Sequence, residues 1–141
     1  MTYQITGHTR MGGLLGSPVA HSISPMMHND SFRELGLDWV YLCFDVGPDR
    51  LGEVVNAFRS MNVYGFNLTM PDKEAVIPHL DELSLAAELI GAVNTVKNED
   101  GKLIGHNDNG RTGPTIKEMK DFCRLRSENH QGYIKTRRFI F

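Results

Sequence analysis

The stretch that decides the fold is Val63-Tyr-Gly-Phe-Asn-Leu-Thr-Met-Pro-Asp-Lys73. Its β-branched and aromatic start predicts a short buried strand, and the polar residues that follow predict a loop at the open end of that strand. Ligands of α/β proteins usually bind at such strand ends. Pro71 stiffens the loop, because it fixes its own φ angle and favours an extended conformation at Met70. Thr69 and Lys73 could therefore grip a small polyhydroxy acid, with Lys73 available for proton transfer; the alternative is a solvated lysine.

A second polar stretch reads Ser17-Pro-Val-Ala-His-Ser-Ile-Ser-Pro25. A helix is predicted from Pro25 to about Leu35, with Ser24 as its N-cap. Ser22 and Ser24 are two positions apart, so in an extended chain both hydroxyls point toward the positive end of that helix. A carboxylate fits there. The alternative is that Ser24 only caps the helix and that Ser22 faces solvent.

Asn94 lies in the apolar stretch Val93-Asn-Thr-Val96, which predicts a strand after a small-residue helix that ends near Gly91. A buried amide needs hydrogen-bond partners. Asn94 therefore either satisfies the backbone of a neighbouring loop or binds a ligand hydroxyl, and the residues alone leave both open.

The stretch Gly105-His-Asn-Asp-Asn-Gly-Arg-Thr112 follows the next predicted strand and nearly matches a phosphate-binding P-loop. Arg111 stands where that motif has a lysine, which acts as a compact charge in a tight nest of amides. Asp108 also makes the loop acidic. We therefore disfavour a phosphate-binding loop here.

The rest of the chain predicts an α/β fold with a mixed, mostly parallel sheet and helices on both faces. Residues 39–46 are typical of a strand, and residues 98–101 predict the tight turn of a hairpin. One helix has apolar residues on a single face, which we assign to the core: Leu51, Val54, Val55, Phe58 and Met61.

Composition limits the classes of function. The chain has 141 residues and a net charge of −2, enough for about one domain. It has no membrane-length apolar run and no secretory pattern, so we expect a cytoplasmic protein with no membrane partner. The charge balance disfavours nucleic acid, although residues 120–141 are basic and aromatic. Cys43 and Cys123 are expected to be reduced thiols, and no metal-ligand spacing is present.

Four of these stretches together resemble the substrate domain of the shikimate and quinate/shikimate dehydrogenases. The resemblance covers about residues 11–113. It implies a reversible, NADP- or NAD-dependent oxidation of a ring alcohol of shikimate to the 3-dehydro ketone, a step of aromatic amino acid biosynthesis. The stretches that carry it are Gly-Ser-Pro-Val-Ala-His-Ser-Ile-Ser-Pro25, Asn67-Leu-Thr-Met-Pro-Asp-Lys, Ile90-Gly-Ala-Val-Asn-Thr and Asp100-Gly-Lys-Leu-Ile-Gly-His-Asn.

The resemblance also implies roles for matching positions. Ser22 and Ser24 would bind the substrate carboxylate, and Thr69 and Asn94 its hydroxyls. Lys73 would be the catalytic lysine beside the reacting alcohol. The last matching position is Asn67, which would support the adjacent loop.

One position departs from the family in a way that bears on catalysis. Family members usually read Asn-Thr-Asp-Gly where this chain reads Asn107-Asp-Asn-Gly110, so Asn109 takes the place of the catalytic aspartate. An asparagine can hydrogen-bond a substrate hydroxyl but cannot transfer a proton. Asp108 is one residue away, and in an extended segment it points to the other face.

The family also continues into a nucleotide-binding domain, and no Gly-x-Gly-x-x-Gly turn occurs in this sequence. We therefore expect a substrate-binding domain over residues 1–113, a helix and a divergent tail over residues 114–141, and no Rossmann domain. Two functions remain. One is a truncated dehydrogenase that binds shikimate or quinate and is weak or inactive alone; the other is a non-catalytic hydroxy-acid-binding or protein-interaction module. A homo-oligomer is left open.

Overall fold

A computed structural model describes residues 4–108 of the chain. These residues form one six-stranded sheet in the order β2-β1-β3-β5-β6-β4. Its strands are β1 (Arg10–Gly16), β2 (Trp39–Asp45), β3 (Gly65–Leu68), β4 (Glu82–Leu83), β5 (Thr95–Glu99) and β6 (Lys102–His106). The helices are α1 (Ser24–Leu35), α2 (Pro48–Ser60), α3 (Asp72–Ala75) and α4 (Leu85–Ile90), with a short 3-10 helix at Ile77–His79.

The sheet is mixed and mostly parallel, as the sequence predicted. β1 runs parallel to both of its neighbours, β2 and β3, and β4 runs parallel to β6. β5 is antiparallel to both β3 and β6. The reversal at β5 matters for the site, because it brings the start of β5 beside the end of β3.

Two hydrophobic clusters, one on each face of the sheet, also confirm helices on both faces. Leu14 and Leu15 fall in different clusters, because successive residues of a strand point to opposite faces. On the first face α2 packs against Leu15 and its neighbours with these buried residues: Leu51, Val55 and Phe58. On the second face α1 contributes Phe32, which packs with three buried aromatic rings: Trp39, Tyr41 and Tyr64.

The predicted hairpin is confirmed by the backbone. Asp100 and Gly101 join β5 to β6 with φ angles of 52° and 93°. Two successive positive φ angles are typical of the tight turns that match the twist of paired strands. Asn98 Oδ1 accepts the N–H of Gly101 at 2.8 Å and so closes the turn.

Three element ends differ from the predictions. α1 begins at Ser24, so Ile23 rather than Ser24 occupies the cap position; a proline is tolerated throughout a first helical turn and therefore does not fix the first residue. Met61 follows the end of α2 and is 62% exposed, because the chain turns away at Asn62 with a φ of 56°. Asn94 is the residue before β5 rather than inside the strand.

Several predictions fall outside the described residues: Asn109, Cys123, the 113/114 boundary, the helix from 114 and the tail of residues 120–141. The start of the P-loop-like stretch is described, and Gly105 lies inside β6. A Cβ atom there would lie 2.6 Å from Leu80 Cδ1, so Gly105 serves close packing of the strand. Across residues 4–108 no helix is long and apolar enough to cross a membrane, and no cluster of side chains is arranged to hold a metal ion.

Candidate functional site

The parallel strands β2, β1 and β3 end at one edge of the sheet, and the loops that follow them meet there. The N–H of Thr69 donates to Leu15 O at 2.9 Å, and the N–H of Ser17 donates to Met70 O at 3.1 Å. These two bonds fix the loop after β3 against the end of β1. The convergence of loops at the carboxyl edge is the arrangement in which open α/β sheets bind ligands.

Thr69 lies against a position of the neighbouring strand β1 that has no side chain. It is half-buried, and its methyl group lies over Gly16, the last residue of β1. A Cβ atom on Gly16 would collide with Thr69 Cγ2. The position of the Thr69 hydroxyl therefore depends on a glycine at the end of β1.

Lys73 lies in α3 and is half-buried. Its carbonyl oxygen accepts the N–H of Val93 at 2.8 Å, which ties α3 to the segment that carries Asn94. No carboxylate within residues 4–108 forms an ion pair with Lys73. Its ammonium group is therefore not neutralised by the part of the chain that the structure describes.

Asp72 precedes that lysine and is fully buried, with 0% of its surface exposed. Neither carboxyl oxygen accepts a hydrogen bond from any described residue. Burial raises the pKa of Asp72, and the nearby charges of Asp45 and Asp49 raise it further. This carboxyl consequently loses its proton less readily than an exposed aspartate.

Asn94 is held by a set of side-chain hydrogen bonds. Its Oδ1 accepts the hydroxyl of Thr95 at 3.0 Å and the N–H of Asp108 at 3.2 Å. Asn67 Nδ2 donates to Thr95 Oγ1 at 3.1 Å and to the carbonyl oxygen of Asn94 at 3.3 Å. Asn67 in turn accepts the hydroxyl of Tyr41 at 2.9 Å. The side-chain bonds of Asn67 thus support the Asn94 segment.

Ser22 and Ser24 are both half-buried at the start of α1. The Oγ of Ser22 accepts the N–H of Ser24 at 3.2 Å. Ser22 also bonds to Cys43, which partly offsets the rise that burial causes in the pKa of this thiol. The Ser22 hydroxyl therefore lies near the end of β2, and no hydrogen bond between described residues joins Ser22 or Ser24 to Thr69 or Lys73.

A polar cavity of about 230 Å³ opens at the carboxyl end of β6. None of the predicted site residues within residues 4–108 lines it. The cavity is lined by Ser84, Leu85, Ala86, Lys97, His106, Asn107 and Asp108.

The sequence profile of the shikimate dehydrogenase substrate binding domain matches residues 14–96. The chain belongs to this family. The matched residues include Ser22, Ser24, Thr69, Lys73 and Asn94.

Relatives of this shikimate dehydrogenase domain are considerably longer. The shikimate dehydrogenase (NADP(+)) of Alkaliphilus metalliredigens is 55% identical over 111 residues, which are 79% of this chain and 39% of that protein. The crystal structure of shikimate 5-dehydrogenase from Listeria monocytogenes with shikimate and NAD has a TM-score of 0.75 and 47% identity, covering 90% of this chain and 42% of that one. Ligand-free 5-ketofructose reductase of a Gluconobacter strain has a TM-score of 0.72 and 34% identity, over 84% and 41% of the two chains. The chain thus spans about two fifths of the length of these relatives.

Sequence reasoning missed Tyr41 and Thr95 as members of the site. Alternation along β2 and β5 places both side chains on the same face as Asn67, and Thr95 is the register partner of Asn67. A register between distant strands cannot be read from a single sequence. The one available signal was the Asn94-Thr95 pair itself, two adjacent polar residues in an apolar stretch.

Proposed function

We propose that this chain provides the shikimate-binding part of an NADP-dependent shikimate dehydrogenase. The observation that carries the proposal is the anchoring of the segment from Thr69 to Lys73. Backbone bonds join its beginning to the end of β1 and its end to the residue before Asn94. The Thr69 hydroxyl, the Lys73 ammonium group and the Asn94 amide thereby lie around one edge of the sheet. Together these groups are suited to binding a polyhydroxy acid.

In this proposal each group has a separate task. Ser22 and Ser24 hold the substrate carboxylate, and Thr69 and Asn94 bind ring hydroxyls. Lys73 Nζ lies beside the reacting hydroxyl and exchanges its proton. A cytoplasmic location, use of quinate and a homo-oligomeric state remain part of the prediction.

The residues that would hold NADP or NAD lie outside residues 4–108. No Gly-x-Gly-x-x-Gly turn joins a strand to a helix in this range, and the strand-end loops described above carry the candidate hydroxy-acid groups instead. These residues therefore do not fit a dinucleotide. The proposal assigns them substrate binding and the handling of one proton.

Calorimetric titration of the 141-residue chain with shikimate tests this function. Wild type should bind shikimate, and both Thr69→Val and Lys73→Met should weaken the affinity roughly tenfold, because each removes a hydrogen-bonding group. Lys102→Met is the matched control, since Lys102 pairs with Glu82 on the other edge of the sheet. Equal affinity in wild type and both site variants, or no binding of shikimate or quinate, would refute the proposal.

A second candidate is a hydroxy-acid-binding module without redox activity, and asparagine at position 109 favours it. The two functions differ in a direct assay. When the chain is joined to the dinucleotide-binding domain of a relative, the substrate-binding part of a dehydrogenase should form NADPH from shikimate and NADP, and Lys73→Met should abolish that activity. A binding module should show shikimate affinity in the titration with no NADPH formed.

A further inference from the structure

Four polar side chains form a continuous path from the second core cluster to the candidate site. The path runs from Tyr41 on β2 through Asn67 on β3 to Thr95 on β5 and ends at Asn94. Its three links measure 2.9, 3.1 and 3.0 Å between donor and acceptor atoms. We call these four residues the Tyr41 relay.

The direction of every bond in the relay is fixed by a backbone carbonyl. The backbone carbonyl oxygen of Asn94 can only accept a hydrogen bond. The side-chain group of Asn67 that lies 3.3 Å from this oxygen must therefore be the amide NH2 group. The amide oxygen of Asn67 then faces Tyr41, whose hydroxyl must donate to it. The second hydrogen of Asn67 Nδ2 goes to Thr95, so the hydroxyl hydrogen of Thr95 is left for Asn94 Oδ1.

The far end of the relay is fixed in the same way. The backbone N–H of Asp108 can only donate, and it also points at Asn94 Oδ1. Because Thr95 and Asp108 both donate to Asn94 Oδ1, the NH2 group of Asn94 points away from these two donors. No residue between 4 and 108 accepts a hydrogen bond from Asn94 Nδ2, and the side chain is half-buried rather than enclosed.

The near end of the relay is rigid. Tyr41 is 1% exposed, and His28 stacks on its ring at 4.1 Å with an interplanar angle of 12°. The side chain of Asn29 bonds to both backbone groups of Tyr41, at 2.9 and 2.8 Å. Burial raises the pKa of Tyr41, and the nearby Cys43 raises it further. The Tyr41 hydroxyl therefore keeps the hydrogen that it donates to Asn67.

We propose that Tyr41, Asn67 and Thr95 are positioning residues that restrict Asn94 to donating hydrogen bonds to a substrate oxygen. The inference rests on the proposed function and deepens it. An amino group that only donates can bind an alcohol oxygen and a carbonyl oxygen alike. The relay thus suits a site that must hold both members of an alcohol and ketone pair, and it disfavours ligands that present a donor such as an ammonium group at this point.

Tyr41→Phe removes the first donor while keeping the buried ring. We expect it to weaken shikimate binding roughly five- to tenfold. Thr95→Val should have a similar effect, and Thr95→Ser should restore affinity because it keeps the hydroxyl. Tyr64→Phe is the matched control, since Tyr64 is a second buried tyrosine of the same cluster outside the relay, and it should bind shikimate as wild type does.

Hydrogen exchange of the Asn67 side-chain amide, followed by NMR without ligand, separates this inference from the proposed function. Both amide hydrogens are bonded in the relay, so exchange should be slow in wild type and faster in Tyr41→Phe. If wild type binds shikimate, unchanged affinity in Tyr41→Phe and Thr95→Val would overturn the inference. If wild type fails to bind shikimate, the proposed function is lost, and unchanged Asn67 exchange in Tyr41→Phe would overturn the relay as well.

Discussion

The half-buried imidazole of His28 should make the protein lose stability as the pH falls from 7.5 to 5, and His28→Phe should remove that loss. His28 lies between Phe32 and Tyr41, with ring centroids 6.0 and 4.1 Å away. Burial lowers its pKa from 6.5 to about 4. Phenylalanine keeps a planar ring over Tyr41 but has no proton to gain.

The sign and size of the effect follow from proton linkage. Below pH 6.5 the unfolded chain takes up a proton at His28, whereas the folded protein does so only below about pH 4. Falling pH therefore favours the unfolded state, and the stability is fully present only above pH 6.5. Between pH 7.5 and pH 5 the wild type should lose about 2 kcal/mol of unfolding free energy through this group.

Urea denaturation at each pH measures this difference, with each protein at pH 7.5 as its own reference. Trp39 is the only tryptophan of the chain and is 6% exposed, so its fluorescence reports unfolding. The difference in unfolding free energy between His28→Phe and wild type should grow by about 2 kcal/mol toward pH 5. Parallel pH profiles for the two proteins would show that His28 is not held neutral by its surroundings.

Two further substitutions test the carboxyl edge of the sheet. Asp72→Asn should stabilise the protein at pH 7 by about 1 kcal/mol, because a buried, unpartnered carboxyl with a raised pKa destabilises the folded state most when it is ionised. Thermal denaturation should show that this gain in stability shrinks as the pH falls toward the ordinary pKa of an aspartate. A destabilised variant at pH 7 would contradict the reasoning. Gly16→Ala should lower the unfolding free energy by about 1–3 kcal/mol and weaken shikimate binding, because the added Cβ displaces the Thr69 methyl group. Gly7→Ala is the control: a Cβ atom at Gly7 would have nothing within 4 Å, so stability and shikimate affinity should both stay unchanged.

Local patterns were sufficient to predict several of the longer elements of the fold. The β-branched and aromatic content of residues 39–46 and the apolar face of residues 51–58 correspond to β2 and α2 as observed. Elements without a periodic pattern could not be found in this way: β4 has two residues, and the 3-10 helix at Ile77–His79 has three. Strand order was equally inaccessible, because the antiparallel placement of β5 depends on contacts between residues far apart in the chain.

The motifs located the anchored loop of Thr69 and Lys73 but not the support behind it. A motif consists of neighbouring residues, whereas Tyr41 is 26 residues from the asparagine to which it donates. The burial of Asp72 could not be predicted either, because an aspartate in a polar stretch is typical of an exposed loop. Candidate binding residues can thus be proposed from local sequence, whereas the residues that hydrogen-bond to them require the register of the sheet.

In the proposed function, the relay also separates substrate binding from the departure at position 109. The last contact that fixes Asn94 comes from the backbone N–H of Asp108, which any residue except proline at that position provides. In the proposed function, the contribution of Asn94 to affinity for the hydroxy acid depends on the Tyr41 relay and on main-chain geometry, while proton transfer depends on the side chains of Lys73 and position 109. A chain with asparagine at 109 can consequently keep the donor geometry of Asn94 intact, so loss of catalysis there would not by itself entail loss of binding.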